Sequence, residues 1–161
     1  MNYNELKRIA LESYFSNAND MQKKAIFKIN GAVLIIAGAG SGKTTVLVNR
    51  IANMMRFGNA YHDETERELT ADRQSFLEDF PSLEKTPENA SRLAKIIAVD
   101  PVNPWNILAI TFTNKAAGEL RDRLVKMIGE GAEKINASTF HSACVRILRR
   151  EIEHLGYKSG F

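Results

Sequence analysis

Residues 37–44 read AGAGSGKT, with three glycines alternating with small residues ahead of a lysine and a threonine. This is the spacing of a Walker A phosphate loop, with Ala37 where the strict pattern opens on glycine. Glycine tolerates the backbone angles that turn successive N–H groups inward, which makes a concave nest for an anion. On that chemistry Gly38, Ala39, Gly40, Ser41 and Gly42 would offer backbone N–H groups to phosphate, with Thr45 just behind them. Lys43 would reach the outer phosphates of a triphosphate, and the Thr44 hydroxyl would be a ligand for Mg²⁺. Lys43 and Thr44 are therefore the candidate catalytic pair, Thr44 is the candidate metal ligand, and ATP with Mg²⁺ are the expected small molecules. A glycine-rich turn that binds nothing is the competing explanation.

Such a loop works only between a strand and a helix N-terminus, and the flanking sequence predicts both. AVLIIA (32–37) is a continuous apolar run of the kind buried on both faces of a parallel sheet. KTTVLVNRIANMMRF carries helical periodicity up to about Gly58. Upstream, helices are predicted over residues 3–14 and from an Asn19 N-cap to about Ile29, with Ala25, Ile26 and Ile29 on one face. Downstream, ILAITFT (107–113) reads as a second buried strand, NKAAGELRDRLVKMI as a helix and KINAST (134–139) as a third, shorter strand. FHSACVRILRREIEHL follows as the last helix, with Gly156 as its C-terminal cap and Cys144 on its apolar face. Strands separated by helices predict an α/β fold with a parallel sheet.

Charge divides the chain in another way. Residues 1–56 hold eight Lys/Arg against three Asp/Glu, residues 57–104 hold five against ten, and residues 105–161 hold nine against six. An acidic middle thus interrupts a basic chain, and residues 58–104 read as a helical insertion on the rim of the core. Within it, Thr86 is the expected N-cap and Pro87 the first residue of a helix. The basic remainder suits anionic partners such as nucleotides or nucleic acid. With 161 residues, a single cysteine, no bilayer-length apolar run and no signal-peptide pattern, the expectation is one soluble intracellular, cytoplasmic domain. His62, His141 and His154 lack metal-ligand spacing.

Two stretches beyond the loop narrow the class. AITFTNKAAGELRDRL (109–124) and STFHSACVRILRR (138–150) resemble motifs Ia and Ib of the UvrD/PcrA/Rep group of superfamily 1 DNA helicases. NDMQKKAI (19–26) is similar to that group's Q motif, and AGAGSGKT is its usual motif I, alanine included. The resemblance implies a RecA-like P-loop NTPase fold, ATP-dependent 3′→5′ movement on single-stranded DNA, and a role in repair or replication. It implies that Gln22 reads adenine, that Thr111, Phe112, Thr113 and Asn114 hold DNA, and that Thr139 and His141 do the same from motif Ib. Phe112 would offer a stacking face, or else lie in the core, while Asn114 would also cap the next helix. Ala18 and Thr45 depart from the group's usual leucine and arginine.

Hydrolysis in such helicases needs an apolar strand ending in Asp-Glu and an arginine from elsewhere. The nearest match, IIAVD (96–100), is followed by Pro101 and continues a helical pattern. The expectation is an N-terminal part of helicase domain 1A, truncated before the Walker B strand and hydrolytically inactive alone, with further helicase domains as its partners. The alternatives are a recombination-type helicase-nuclease, a small P-loop kinase using Asp100 as metal ligand, and a nucleic-acid module that binds no nucleotide.

Overall fold

In a computed structural model of the chain, residues 1–38, 40–129 and 131–158 are described. The chain divides into two compact units, Met1–Val102 and Asn103–Phe161. No helix among the described residues is long and apolar enough to cross a membrane.

The first unit is helical. α1 (Tyr3–Tyr14) and α2 (Asp20–Phe27) each begin with an asparagine capping box, Asn2 with Glu5 and Asn19 with Gln22. In both, the cap side chain accepts the third helical N–H while the third side chain accepts the cap's own N–H. α2 stops two residues earlier than its periodicity suggested, and Phe27 rather than Ile29 is its second buried residue. α3 (Lys43–Arg56) follows the glycine loop, and Val46, Val48, Ile51 and Ala52 face inward. α4 (Ala71–Asp79) and α5 (Pro87–Ile97) lie in the acidic segment, α5 with the expected Thr86 cap and Pro87 start. Leu6, Leu11, Phe15, Phe27, Phe57, Leu77, Phe80 and Leu93 are almost completely buried. Edge-to-face aromatic contacts link Tyr14, Phe15, Phe27 and Phe57.

The expected strand over 32–37 does not form. The segment carries neither helix nor strand, and Leu34 and Ile36 are 84 % and 88 % exposed. A strand needs a neighbour to satisfy its backbone groups, and the ladder pairing among the described residues involves other segments. Alternation survives nonetheless, since Ile35 and Ala37 are half-buried between exposed neighbours. The predicted central parallel sheet is thus reduced to two strands among the described residues.

Those strands make the second unit. β1 (Leu108–Thr111) and β2 (Asn136–Thr139) pair in parallel, Leu108 opposite Asn136 through Thr111 opposite Thr139. They are joined by α6 (Asn114–Ile128), which packs Ala117, Leu120 and Leu124 on them, and β2 is followed by α7 (Phe140–Glu151). β1 is shorter than expected and buried on one face only, with Leu108 and Ile110 exposed around buried Ala109. Of α7 only Ala143 is buried; Cys144 is half-buried rather than core.

Candidate nucleotide and nucleic-acid sites

The glycine loop has the backbone its sequence calls for. Gly40 and Gly42 adopt φ of +74° and +83°, the left-handed region that glycine enters without a Cβ penalty. Gly42 is the N-cap of α3, so the helix's free N–H groups point into the loop. Ala39 lies outside the described residues. Gly38, Gly40, Ser41, Lys43, Thr44 and Thr45 are exposed, and Gly42 is half-buried.

The loop's polar groups answer one another. The Lys43 ammonium donates to the carbonyls of Ala37 at 2.8 Å and Gly38 at 2.6 Å, and the Ser41 hydroxyl donates to Gly38 O at 2.7 Å. Gln22 Nε2 donates to Ser41 O at 3.3 Å, while Gln22 Oε1 accepts from Asn19 N at 3.0 Å. The adenine-reading candidate is therefore seated on the glycine loop, with both ends of its amide in use. Gln22, Ser41 and Lys43 share a cavity of about 530 Å³ whose other wall is Val33–Ala37, with Met21 and Ala25 opposite. Its lining combines three lysines, Lys24, Lys28 and Lys43, with the apolar side chains of Met21, Val33, Leu34, Ile35 and Ile36, which suits a ligand with both charged and flat apolar parts.

α2 is held in place by residues that sequence reading did not single out. The Arg50 guanidinium donates to the carbonyls of Ala25 and Lys28, and Asn53 Nδ2 donates to Ile26 O at 3.3 Å. These are the carbonyls that the end of a helix leaves without an internal partner. Burial lowers the pKa of Arg50, a cost accepted beside several carbonyls. The signal was faint, because Arg50 and Asn53 look like ordinary members of an amphipathic helix. Asp100, the kinase-type metal candidate, sits at positive φ, 48°, on an exposed turn after α5, and IIAVD ends that helix rather than forming a strand.

The second unit gathers the other candidates. Thr111 and Thr139 stand opposite each other at the carboxyl ends of the paired strands, so TFTN and TFHS leave the sheet side by side. Phe112 is 98 % exposed, which removes the core alternative, and Phe140 is 56 % exposed. Thr113, not Asn114, caps α6, its Oγ1 accepting from Ala116 N at 3.1 Å. Asn114 is therefore the first helical residue, with an exposed side chain. The Thr111 hydroxyl donates to Thr113 O at 3.1 Å. Thr139 is buried and caps α7 by accepting from Ser142 N at 3.2 Å, while His141 is exposed in that helix's first turn. Arg146 reaches back to Asn136 Oδ1 at 2.7 Å and Ser138 Oγ at 3.0 Å, bracing α7 on β2. Among the described residues no cluster of three His, Cys, Asp or Glu side chains could hold a metal ion.

The model of the UvrD/REP helicase N-terminal domain matches residues 18–65 and 85–161. The chain belongs to the UvrD/REP helicase family. ATP-dependent DNA helicase PcrA of Bacillus subtilis is 39 % identical over 146 residues, which is 91 % of this chain and 14 % of that protein. PcrA of Staphylococcus epidermidis is 37 % identical and PcrA of Staphylococcus aureus 36 % identical, each over 151 residues, 94 % of this chain and 15 % of the relative. The chain thus spans about one-seventh of the length of the curated relatives it matches. The family match pauses at residues 66–84, inside the acidic segment.

Proposed function

We propose that this chain is the N-terminal part of domain 1A of an ATP-dependent 3′→5′ DNA helicase, where it binds ATP and single-stranded DNA. The observation that carries the reading is the parallel register that brings Thr111 opposite Thr139 and sends Phe112 and Phe140 out from adjacent strand ends. Open α/β sheets bind ligands at the carboxyl ends of their strands, and an exposed ring there is a stacking platform for an unpaired base. A small-molecule kinase has no use for two such tips. Family membership and the PcrA relatives support the same reading.

In this reading Lys43 leaves the carbonyls of Ala37 and Gly38 to meet the outer phosphates, while the α3 N-terminus and the left-handed glycines turn N–H groups toward them. Gln22 exchanges its bond to Ser41 for the adenine edge. The exposed Thr44 hydroxyl at the first turn of α3 would hold Mg²⁺, which when bound neutralises developing charge on the phosphates. Residues 1–161 alone are expected to bind nucleotide weakly and hydrolyse it negligibly, since this sequence holds no apolar run followed by Asp-Glu.

The test is ATP turnover by the full-length protein with and without single-stranded DNA, beside strand separation on substrates of either polarity. DNA-stimulated turnover and unwinding from a 3′ tail, both lost with Lys43→Ala, are expected. DNA-independent ADP formation that requires a small acceptor would overturn the reading in favour of a kinase.

A further inference from the structure

We propose that Tyr61, in the turn that follows α3, is a positioning residue for base recognition by Gln22, so that this turn sets nucleotide preference. The inference rests on the nucleotide-binding reading above. It begins with the size of α2, eight residues or about two turns, too short to hold itself in water. Its position is therefore decided by what grips it.

Beside the edge-to-face contact of Phe15 on Phe27, three grips hold α2. At the N-terminal end Gln22 reaches Ser41 O, and at the C-terminal end Arg50 and Asn53 take the free carbonyls. Both of these come from the phosphate loop and its own helix. The third grip is different: the Phe27 ring lies flat on Tyr61, centroids 4.0 Å apart and planes 3° from parallel. Because Phe27 is the last residue of α2, this contact sets the rotation of the helix that presents Gln22.

Tyr61 is itself anchored on two sides. Its hydroxyl donates to Glu12 Oε1 on α1 at 2.7 Å. The residues after it strap onto the same helix. The fully buried Lys7 ammonium donates to Asp63 O at 2.6 Å, Asn4 Nδ2 donates to Glu64 O at 3.0 Å, and Arg8 pairs with the Glu64 carboxylate. The two ends of the insertion are then tied at its base, Asn59 N to Val99 O at 2.8 Å and Val99 N to Phe57 O at 3.1 Å. Tyr61 is thus a fixed platform at the start of the acidic segment that touches the nucleotide-facing helix.

Adenine offers an N–H donor beside the N7 acceptor, whereas guanine offers two acceptors there. An amide seated squarely tells them apart, and one that can tilt does not. The ratio of ATP to GTP affinity therefore reports where Gln22 sits, in a way that general loss of fold does not.

The experiment uses the full-length protein and fluorescent ATP and GTP analogues. For Tyr61→Ala the ATP analogue should bind about tenfold more weakly while the GTP analogue changes less than about twofold. Tyr61→Phe, which keeps the stacked ring, should retain the wild-type ratio. Adding Tyr61→Ala to Gln22→Ala should cost nothing further, because both act through one contact. Should Tyr61→Ala not fold, Tyr61→Leu, which keeps apolar bulk without a flat ring, is read by the same ratio. An unchanged ratio in a folded variant, or equal loss of both analogues, overturns the proposal alone. Failure of the wild-type protein to bind either analogue overturns it together with the nucleotide-binding reading.

Discussion

The glycine loop and the strand tips of β1 and β2 treat their own functional groups in opposite ways. In the loop, the Lys43 ammonium, the Ser41 hydroxyl and the Gln22 amide are engaged with carbonyls of the loop itself. At the strand tips Phe112 stands out in solvent, 98 % exposed, while the threonines beneath it are spent on turns and helix caps. The difference suits the ligand proposed for each. A charged ligand can displace an ammonium–carbonyl bond because it offers a stronger, charge-assisted one. A stacking surface gains only if it is left uncovered, since a buried ring has no face to offer.

Substitutions can break or sharpen this contrast. The largest effect is expected at Gly58, where the backbone has φ of +59° and an added Cβ would stand 1.9 Å from Val99 O. Gly58→Ala should cost about 3 kcal/mol or more, seen as a lower thermal midpoint, with amide protection in α3 falling first. Lys43→Ala should weaken ATP binding on the order of 100-fold by titration of the full-length protein, and leave single-stranded DNA binding in the absence of nucleotide unchanged. Phe112→Ala should do the reverse, weakening single-stranded DNA roughly tenfold by fluorescence anisotropy with ATP binding unaffected. If both variants lost both ligands, the two regions would not be separate sites.

Thr113→Ala should cost about 1 kcal/mol in denaturant unfolding, and Asn114→Ala only about 0.3 kcal/mol, because Thr113 holds the cap. The smallest effect concerns pH. Burial, reinforced by the Glu12 carboxylate, pushes the Tyr61 phenol up to about 12, from 10.0. The unfolded chain therefore loses this proton first, and the stability that Tyr61 contributes is whole below pH 10 and fades as pH climbs through about 12. Tyr61→Phe should flatten the fall in stability across that window relative to wild type.

Local signals were read well from the chain. The Asn19 and Thr86 caps, the Pro87 start and the span of α6 all depend on neighbours within a few residues, which composition records, whereas the last helix ends at Glu151 and Gly156 closes only the 3-10 turn that follows it. The family, too, was legible, because AGAGSGKT, TFTN and TFHS are contiguous strings whose order survives any packing. The 32–37 run departs from its sequence pattern for the opposite reason. An apolar hexapeptide reports a preference for a strand, but pairing requires a neighbour, and neighbours are set by the rest of the molecule.

What the sequence by itself determined is the chemistry available: a nest with a lysine behind it, and two threonine–phenylalanine tips each leading into a helix. Only the tertiary structure decided which partners those groups have. It paired Thr111 with Thr139, put Gln22 on Ser41, capped α2 with Arg50 and Asn53, and laid Phe27 on Tyr61 from the start of the acidic segment. Each contact joins residues about twenty or more positions apart. No local propensity encodes such a meeting, because it exists only after the cost of closing the intervening chain has been met by the core that forms around it.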